Sequence, residues 1–446
     1  MAIFHHGEFA ITTAIVQQVR ETLELSLQNE EQKRRDQLNS LFREAGIQLP
    51  CCATRRTSHV GVSPAEIDRE LQRAVSELTR REHLSLVQLV RIWRNETAED
   101  SRPHKALNVE WSAVLSRGYR HREVLLDTVR HGVRHRFRKC LDDFFSEVPE
   151  NHKSARDAVN ALRRSIRDGQ DAGTYLVVDT DVSQRWPTVK FSPFGCVPKA
   201  GLDPRFEARL IHDLSHPKGR STNAASDRSQ LPTILYVHVR AIARRIEYLR
   251  KRYPNRRIMM LKGDVKSAFR QIMLAAEIVR GFGGKIPEDI AAVIDTALPF
   301  GWTGSPGHYG VFGGAISHRL GLESPGSLDP RSSDKETFFA YVWVDDHICV
   351  EPDIDNRLEL CEAALRLAMM AFLGPRSIND SKFSRLEQQL TALGLEWNTQ
   401  EGTVSMPEAK IEKALGSIRA ILESNAASKH QLNKLLGSLR HVCSCI

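Results

Sequence analysis

Three aspartates carry the chemistry that the rest of the chain must explain. Asp345 and Asp346 stand side by side in FFAYVWVDDHICV, Phe338 to Val350, and Asp264 closes the run RRIMMLKGD. Adjacent carboxylates repel, and each raises the pKa of the other unless a cation lies between them. Oxygen-only ligands of this kind suit a hard ion such as Mg²⁺. The pair therefore asks for a metal and a third acid. By itself an Asp-Asp pair is an ordinary solvated turn, since both residues favour turns, so its meaning depends on the elements around it.

Phe338 to Val344 and Ile348 to Val350 have strand composition, which predicts a hairpin with Asp345 and Asp346 at its turn. Ile258 to Leu261 predict a short strand ending in Asp264, placed beside that hairpin so that its acid faces the pair. Ala268, Phe269 and Ile272 begin a turn or helix after it. In LPFGWTGSPGHYGVFGGAISHRL, Pro299, Gly301, Gly304 and Gly307 give a backbone that a ligand can approach closely. A helix after Pro306 then carries Tyr309, Phe312, Gly313, Ile316 and Leu320 on one face. Ile354, Leu358, Cys361, Leu365, Met369 and Phe372 keep helical spacing over five turns and predict a helix covering one face of a sheet. Beyond INDSKFS, LTALGLEWNT and TVSM predict two short strands around a turn at Gln400 to Gly402. Ser405 with Glu408, and Ser428 with Gln431, read as capping boxes opening two final helices.

Upstream the chain is helical and basic. The first 50 residues predict a marginal helix or a tail, with Leu38, Leu41 and Phe42 as the only compact apolar group. A capping box at Ser63 and Glu66 leads into Ile67, Leu71, Ala74 and Leu78, and Leu86, Leu89, Val90 and Trp93 form a second periodic set, together an antiparallel helix pair. Between Arg117 and Lys139 arginines crowd with His121, His131 and His135. That stretch is either a solvated basic face or a surface that grips phosphates whatever the base. A helix from Ala155 to Asp168 is expected to end in a turn at Gly169 to Gly173. After it, the apolar runs before Pro198 and after Arg209 place Lys199 and Arg209 on or beside a hairpin. Two cations fixed that way can hold a polyphosphate, Arg by its fork and Lys as a point charge.

Composition sets outer bounds. The 446 residues suffice for two or three domains, and 41% hydrophobic with 26% charged residues is the make-up of a globular chain. A formal net charge of +8 leans towards a phosphate-bearing partner. No apolar run approaches a membrane span, and the start has no signal-peptide layout, so an intracellular protein, cytoplasmic or nuclear and not secreted, is expected, with no membrane partner. The eight cysteines form neither a CxxC pair nor a zinc ladder and read as reduced thiols. His441, Cys443 and Cys445 are at most half a metal site.

Taken in order, these pieces resemble the reverse transcriptase domain of retroelements. Gly263 to Phe269 resembles its first palm motif, PFGWTGSP (Pro299 to Pro306) its second, and Trp343 to Asp346 its aromatic-x-Asp-Asp box. Lys382 in NDSKF and Leu393 to Leu395 match two later palm motifs. VPKAG followed by RLIHDLSHPKGRSTN resembles the fingers of the DIRS-like, tyrosine-recombinase group. Trp343 and Phe300 depart from the residues usual in retroviral enzymes. The resemblance implies an α+β right-hand polymerase: a helical region 1–107 of unknown role, a basic lead-in and fingers over 108–255, a palm with a small antiparallel sheet over 256–400, and a helical thumb from 401 to 446. It further implies two Mg²⁺ ions, or Mn²⁺ in their place, on Asp264, Asp345 and Asp346, with Lys382 as proton donor to pyrophosphate. Lys199, Arg209, Phe269, Phe300 and Gly301 would bind the incoming nucleotide, Phe269 as the wall that excludes a ribose 2′-hydroxyl. The implied partners are an RNA template, a DNA primer and dNTPs. No carboxylate cluster for RNase H follows the thumb, so copying without degradation of RNA is expected. Two other readings stay open: a catalytically decayed fragment that binds nucleic acid, and an RNA-dependent RNA polymerase.

Overall fold

The computed structural model describes residues 13–50, 65–138, 148–199, 201–424 and 426–442. Ser63, Lys139, Cys443, Cys445 and the side chain of His441 lie outside the described residues. The chain mixes helices with small antiparallel sheets and divides into two compact units. The first comprises Met1–Glu21, Leu235–Lys266 and Gly313–Ile446; the second comprises Thr22–Ile234 and Ser267–Phe312. The strands, in chain order, are β1 Tyr175–Asp179, β2 Phe194–Pro198, β3 Ala208–His212, β4 Ile258–Asp264, β5 Gly283–Ile286, β6 Ala291–Asp295, β7 Tyr341–Trp343, β8 Asp346–Pro352, β9 Gln389–Ala392, β10 Leu395–Asn398 and β11 Thr403–Ser405.

In the first unit β8 is central, pairing antiparallel with β4 on one side and β7 on the other. Side chains alternate across this sheet. Ile258, Met260, Ile348 and Val350 join one core with Ile246 and Leu249 of the helix Arg240–Arg252. The other face receives the helix Arg357–Leu373, close enough that a Cβ on Gly263 would meet Leu365 and Met369 at 2.9 Å. That helix is the one expected from its spacing, although Ile354 precedes its first turn. A second sheet, β9-β10-β11, adds Leu395 and Trp397 to the first core. LTALGLEWNT thus makes two strands rather than one, because Leu393 and Gly394 turn the chain with φ of 55° and 73°. Two helices, Glu408–Ser424 and Lys429–Val442, follow. Ser428 and Gln431 form the expected box, with the Gln431 N–H donating to Ser428 Oγ at 3.2 Å. Ser405 instead ends β11, and the Pro407 carbonyl accepts the first bond of its helix.

In the second unit β6 lies between β1 and β5, and all five of its residues are buried, as the run AAVID requires of a central strand. β2 and β3 form the expected hairpin. Leu162 and Ile166, from the helix Val159–Asp171, join Tyr175, Val177, Phe194 and Val293 in one core. Gly169 lies inside that helix rather than in a turn after it, and the Tyr175 ring occupies the space a Cβ there would need. The helix Arg69–Arg81 is capped by Asp68, whose side chain accepts from the Leu71 N–H. The helix Leu86–Trp93 buries Leu86, Leu89, Val90 and Trp93 as its spacing predicts. The polar N-terminal stretch is a helix of 32 residues, Thr13–Glu44, and not a tail. Pairs such as Gln17 with Glu21 and Gln32 with Asp36 run along it at one-turn spacing.

Candidate active site

β4 ends on Asp264 and β8 begins on Asp346, and the register sets these two residues directly opposite each other. Asp345 sits one residue earlier in a two-residue turn with Val344, closed by the pairing of Trp343 with Asp346. The Val265 N–H donates to the Asp345 carbonyl at 3.1 Å, tying that turn to the end of β4. Only Asp345 of the expected pair is therefore in the turn. Asp346 heads a strand, and the strand expected over Phe338 to Val344 shortens to β7.

Burial raises the pKa of both Asp345 and Asp346 above the ordinary carboxyl range. The charge of Asp264 adds to the rise in each, while Lys262 and Lys382 oppose it. Asp264 is 4% exposed. The Asn379 side-chain amide donates to its Oδ1 at 2.5 Å, and the Asn379 N–H donates to its carbonyl at 3.0 Å. Lys382 Nζ lies 3.6 Å from Asp264 Oδ2. Asn379 was not legible beforehand; its one signal was its place three residues before Lys382 in NDSKF. Tyr236 was also missed. Its ring packs against Trp343 at 4.9 Å, and burial, with the charge of Asp345, raises its pKa.

Among the described residues, no three His, Cys, Asp or Glu side chains are gathered as a ready metal site. Asp264 is turned instead towards Asn379 and Lys382. The donor chemistry nevertheless suits a hard divalent ion: three carboxyls brought together where β4 ends and β8 begins, the oxygen ligands such an ion takes.

The other expected residues lie in the second unit. The Phe269 ring stands 4.8 Å from Phe300 and 5.8 Å from Tyr309, making one aromatic wall with Phe300 exposed. Gly301 has φ 121°, and a Cβ there would fall 2.0 Å from the His212 carbonyl. The His212 N–H donates to the Phe300 carbonyl at 3.3 Å, so the Phe300–Gly301 backbone is fixed against β3. Arg209 is exposed on β3 opposite Val197. Lys199, just past β2, is paired with Glu207 at 2.8 Å, and Arg164 shares that carboxylate. The structure thus groups Asp264, Asp345, Asp346 and Lys382 in one unit. In the other it groups Phe269, Phe300 and Gly301, and puts Lys199 and Arg209 on one hairpin.

No family model matches the chain, and no curated protein matches it. Among solved structures it is similar to the foamy viral protease-reverse transcriptase dRH in complex with double-stranded DNA, at 13% identity, covering 74% of this chain and 52% of that one with a TM-score of 0.45. It is also similar to the foamy viral protease-reverse transcriptase with double-stranded DNA, at 15% identity over 74% of this chain and 61% of that one, TM-score 0.42. A third, with an RNA/DNA hybrid, is 15% identical over 74% of this chain and 39% of that one, TM-score 0.41. The chain thus spans about half the length of the first of these.

Proposed function

We propose that the chain is a retroelement polymerase of the DIRS-like group that extends a DNA primer along an RNA or DNA template. The observation that carries this reading is the register of Asp264 against Asp346, with Asp345 one residue away on a turn tied to β4. In this reading the fingers run from 150 to 255, the palm from 256 to 400, and the thumb from 401.

Asp264 and Asp345, with Asp346 beside them, would hold two Mg²⁺ ions, and the Asn379 side-chain amide, which donates to Asp264 Oδ1, orients that carboxyl. When bound, these ions lower the pKa of the primer 3′-hydroxyl and clamp the transferring phosphoryl group; Mn²⁺ can replace them. Lys382, with a side chain 57% exposed, has the freedom to swing from Asp264 to the leaving pyrophosphate and protonate it. Arg209 and Lys199 neutralise the triphosphate, Lys199 by exchanging Glu207 for a phosphate oxygen. Phe269 and Phe300 form the wall against the sugar.

The test is primer extension by purified protein on an RNA template with Mg²⁺ or Mn²⁺. Template-directed extension with dNTPs is expected. If the folded wild-type protein extends no primer on RNA or DNA with either ion, the reading fails.

A further inference from the structure

The aromatic wall of the second unit is built from two separate segments, and one buried carboxylate holds both. Phe269 stands in the turn Ala268–Gln271, Phe300 stands in the loop that follows β6, and their rings lie 4.8 Å apart. Main-chain bonding joins the two segments at Ile272, whose carbonyl accepts from the Leu298 N–H at 2.9 Å. Both rings lie past that bond, and their spacing is left to other contacts.

Asp295, the last residue of β6, is fully buried and gives one oxygen to each segment. Its Oδ1 accepts from the guanidinium of Arg270, the sequence neighbour of Phe269. A second nitrogen of Arg270 donates to the Thr174 carbonyl at 2.8 Å, and the guanidinium lies 4.2 Å from the centre of the Tyr175 ring. The fork is held on three sides, and the backbone that carries Phe269 is held with it.

The Oδ2 of Asp295 meets His212 Nδ1 at 2.8 Å. His212 closes β3, and its Nε2 donates to the Gly283 carbonyl at 2.9 Å, so both ring nitrogens are engaged. Its main chain in turn supports Phe300: the His212 N–H donates to the Phe300 carbonyl at 3.3 Å, and the His212 carbonyl stands where a Cβ on Gly301 would fall. Asn223 secures the residues that follow, donating to the Gly301 carbonyl and accepting from the Thr303 N–H, each at 2.8 Å.

Burying a carboxylate is costly, and apolar groups of the same shape often serve stability as well. What this cluster adds is a fixed geometry between two segments.

We infer that Asp295 is a positioning residue that sets the spacing of Phe269 and Phe300, through Arg270 on one side and His212 on the other, and thereby the choice of sugar. The spacing rests on the contacts above; its consequence, preference for dNTP over rNTP, rests on the polymerase reading.

The experiment compares Asp295→Asn and Arg270→Lys with the wild type in primer extension with a dNTP and the matching rNTP. Asp295→Asn keeps the shape and loses the charge, whereas Arg270→Lys keeps the charge and loses the fork, and so serves where the first variant fails to fold. Each should lower the dNTP over rNTP ratio of kcat/KM by about 5-fold to 10-fold, since the steric fit is loosened with both rings still present. A purely structural role would reduce the fraction of active enzyme, which scales both substrates alike. An unchanged ratio in the folded variants therefore overturns the inference. Crystal structures of the wild type and the variants give a reading free of activity: the ring separation should shift from 4.8 Å by about 1 Å, the size of displacement that alters rates from a distance. Rings left in place overturn the inference as well. If the wild type extends no primer while the rings of the variants shift, the polymerase reading falls and the positioning role stands.

Discussion

Asp345 and Asp346 are stabilised as carboxylic acids more than they are in water, and burial is the larger cause in both. A carboxyl whose folded pKa exceeds its unfolded value binds its proton more tightly when folded, so it favours the fold at low pH. That contribution is lost as pH rises from the ordinary Asp range through the raised value. At neutral pH and without divalent ions, Asp345→Asn should therefore melt above the wild type while losing extension activity by two or more orders of magnitude. Differential scanning calorimetry with parallel extension assays checks this, and a folded variant with near-normal extension contradicts the role given to Asp345. Phe269 belongs at the same scale. Packed against Phe300 and Tyr309, it offers no room for an added oxygen, and Phe269→Ala should relax the choice of dNTP over rNTP by about 10-fold to 100-fold in relative kcat/KM. An unchanged ratio removes the gate. The three acids were legible because type and order both mark them. Asn379 was not, since nothing in its spacing distinguishes a clamping amide from any other polar residue.

The hairpin of β7 and β8 was legible as an element but not in its register. Two aspartates and a valine compete for a two-residue turn, and local preference gives the turn to the acids. Pairing of Asp346 with both Trp343 and Asp264 decides otherwise, because ladder bonds and the burial of Ile348 and Val350 outweigh the preference of one residue. The cost falls on Val344, a β-branched residue at φ 52°. Left-handed backbone costs an L-residue about 1–2 kcal/mol, less for Asn. Val344→Asn should therefore raise stability by about 1 kcal/mol in urea titrations, and a loss of stability would show that packing of the valine outweighs the strain. The helix Ser305–Leu322 carries a second stored cost. His308 lies against Trp302 at 5.6 Å, neither ring nitrogen has a hydrogen-bond partner, and burial holds its pKa down at about 4. The unfolded chain takes up that proton near the ordinary 6.5, so the contribution of His308 is complete above this value and is lost as pH falls through about 4. The full span is on the order of 3 kcal/mol. His308→Leu should flatten the acid limb of stability between pH 7 and 5; an unaltered slope would assign that limb to other groups.

At the scale of the molecule, the two units are interleaved along the chain: the first is built from three segments and the second from two. Periodicity reveals helices one at a time and says nothing about which distant segments share a core, so this division was not legible from the residues. The N-terminal stretch could be read no further than a marginal helix or a tail for a related reason: its 32-residue helix carries polar pairs along its surface rather than a long apolar stripe. The final helices show the reverse case. Both were expected and both are present, yet Glu408–Ser424 has no buried residue, and Ile411, Leu415, Leu422, Leu432, Leu436 and Leu439 are all exposed. Helical hydrogen bonds alone are marginal at such lengths, and most helix stability in proteins comes from a covered face. β8 is the opposite limit, with every residue from His347 to Pro352 buried, a strand on each side and the helix Arg357–Leu373 packed over it. Opening free energy should follow this gradient. In hydrogen exchange of the free protein, amides of 408–442 should exchange first and those of β4 and β8 last, approaching the global unfolding limit. Ile411→Ser or Leu422→Ser should then change stability by less than about 0.5 kcal/mol, whereas Leu365→Ala, beneath the sheet that carries the acids, should cost about 2–5 kcal/mol. Protection over 408–442 equal to that of β8 would mean that those exposed leucines are covered in solution.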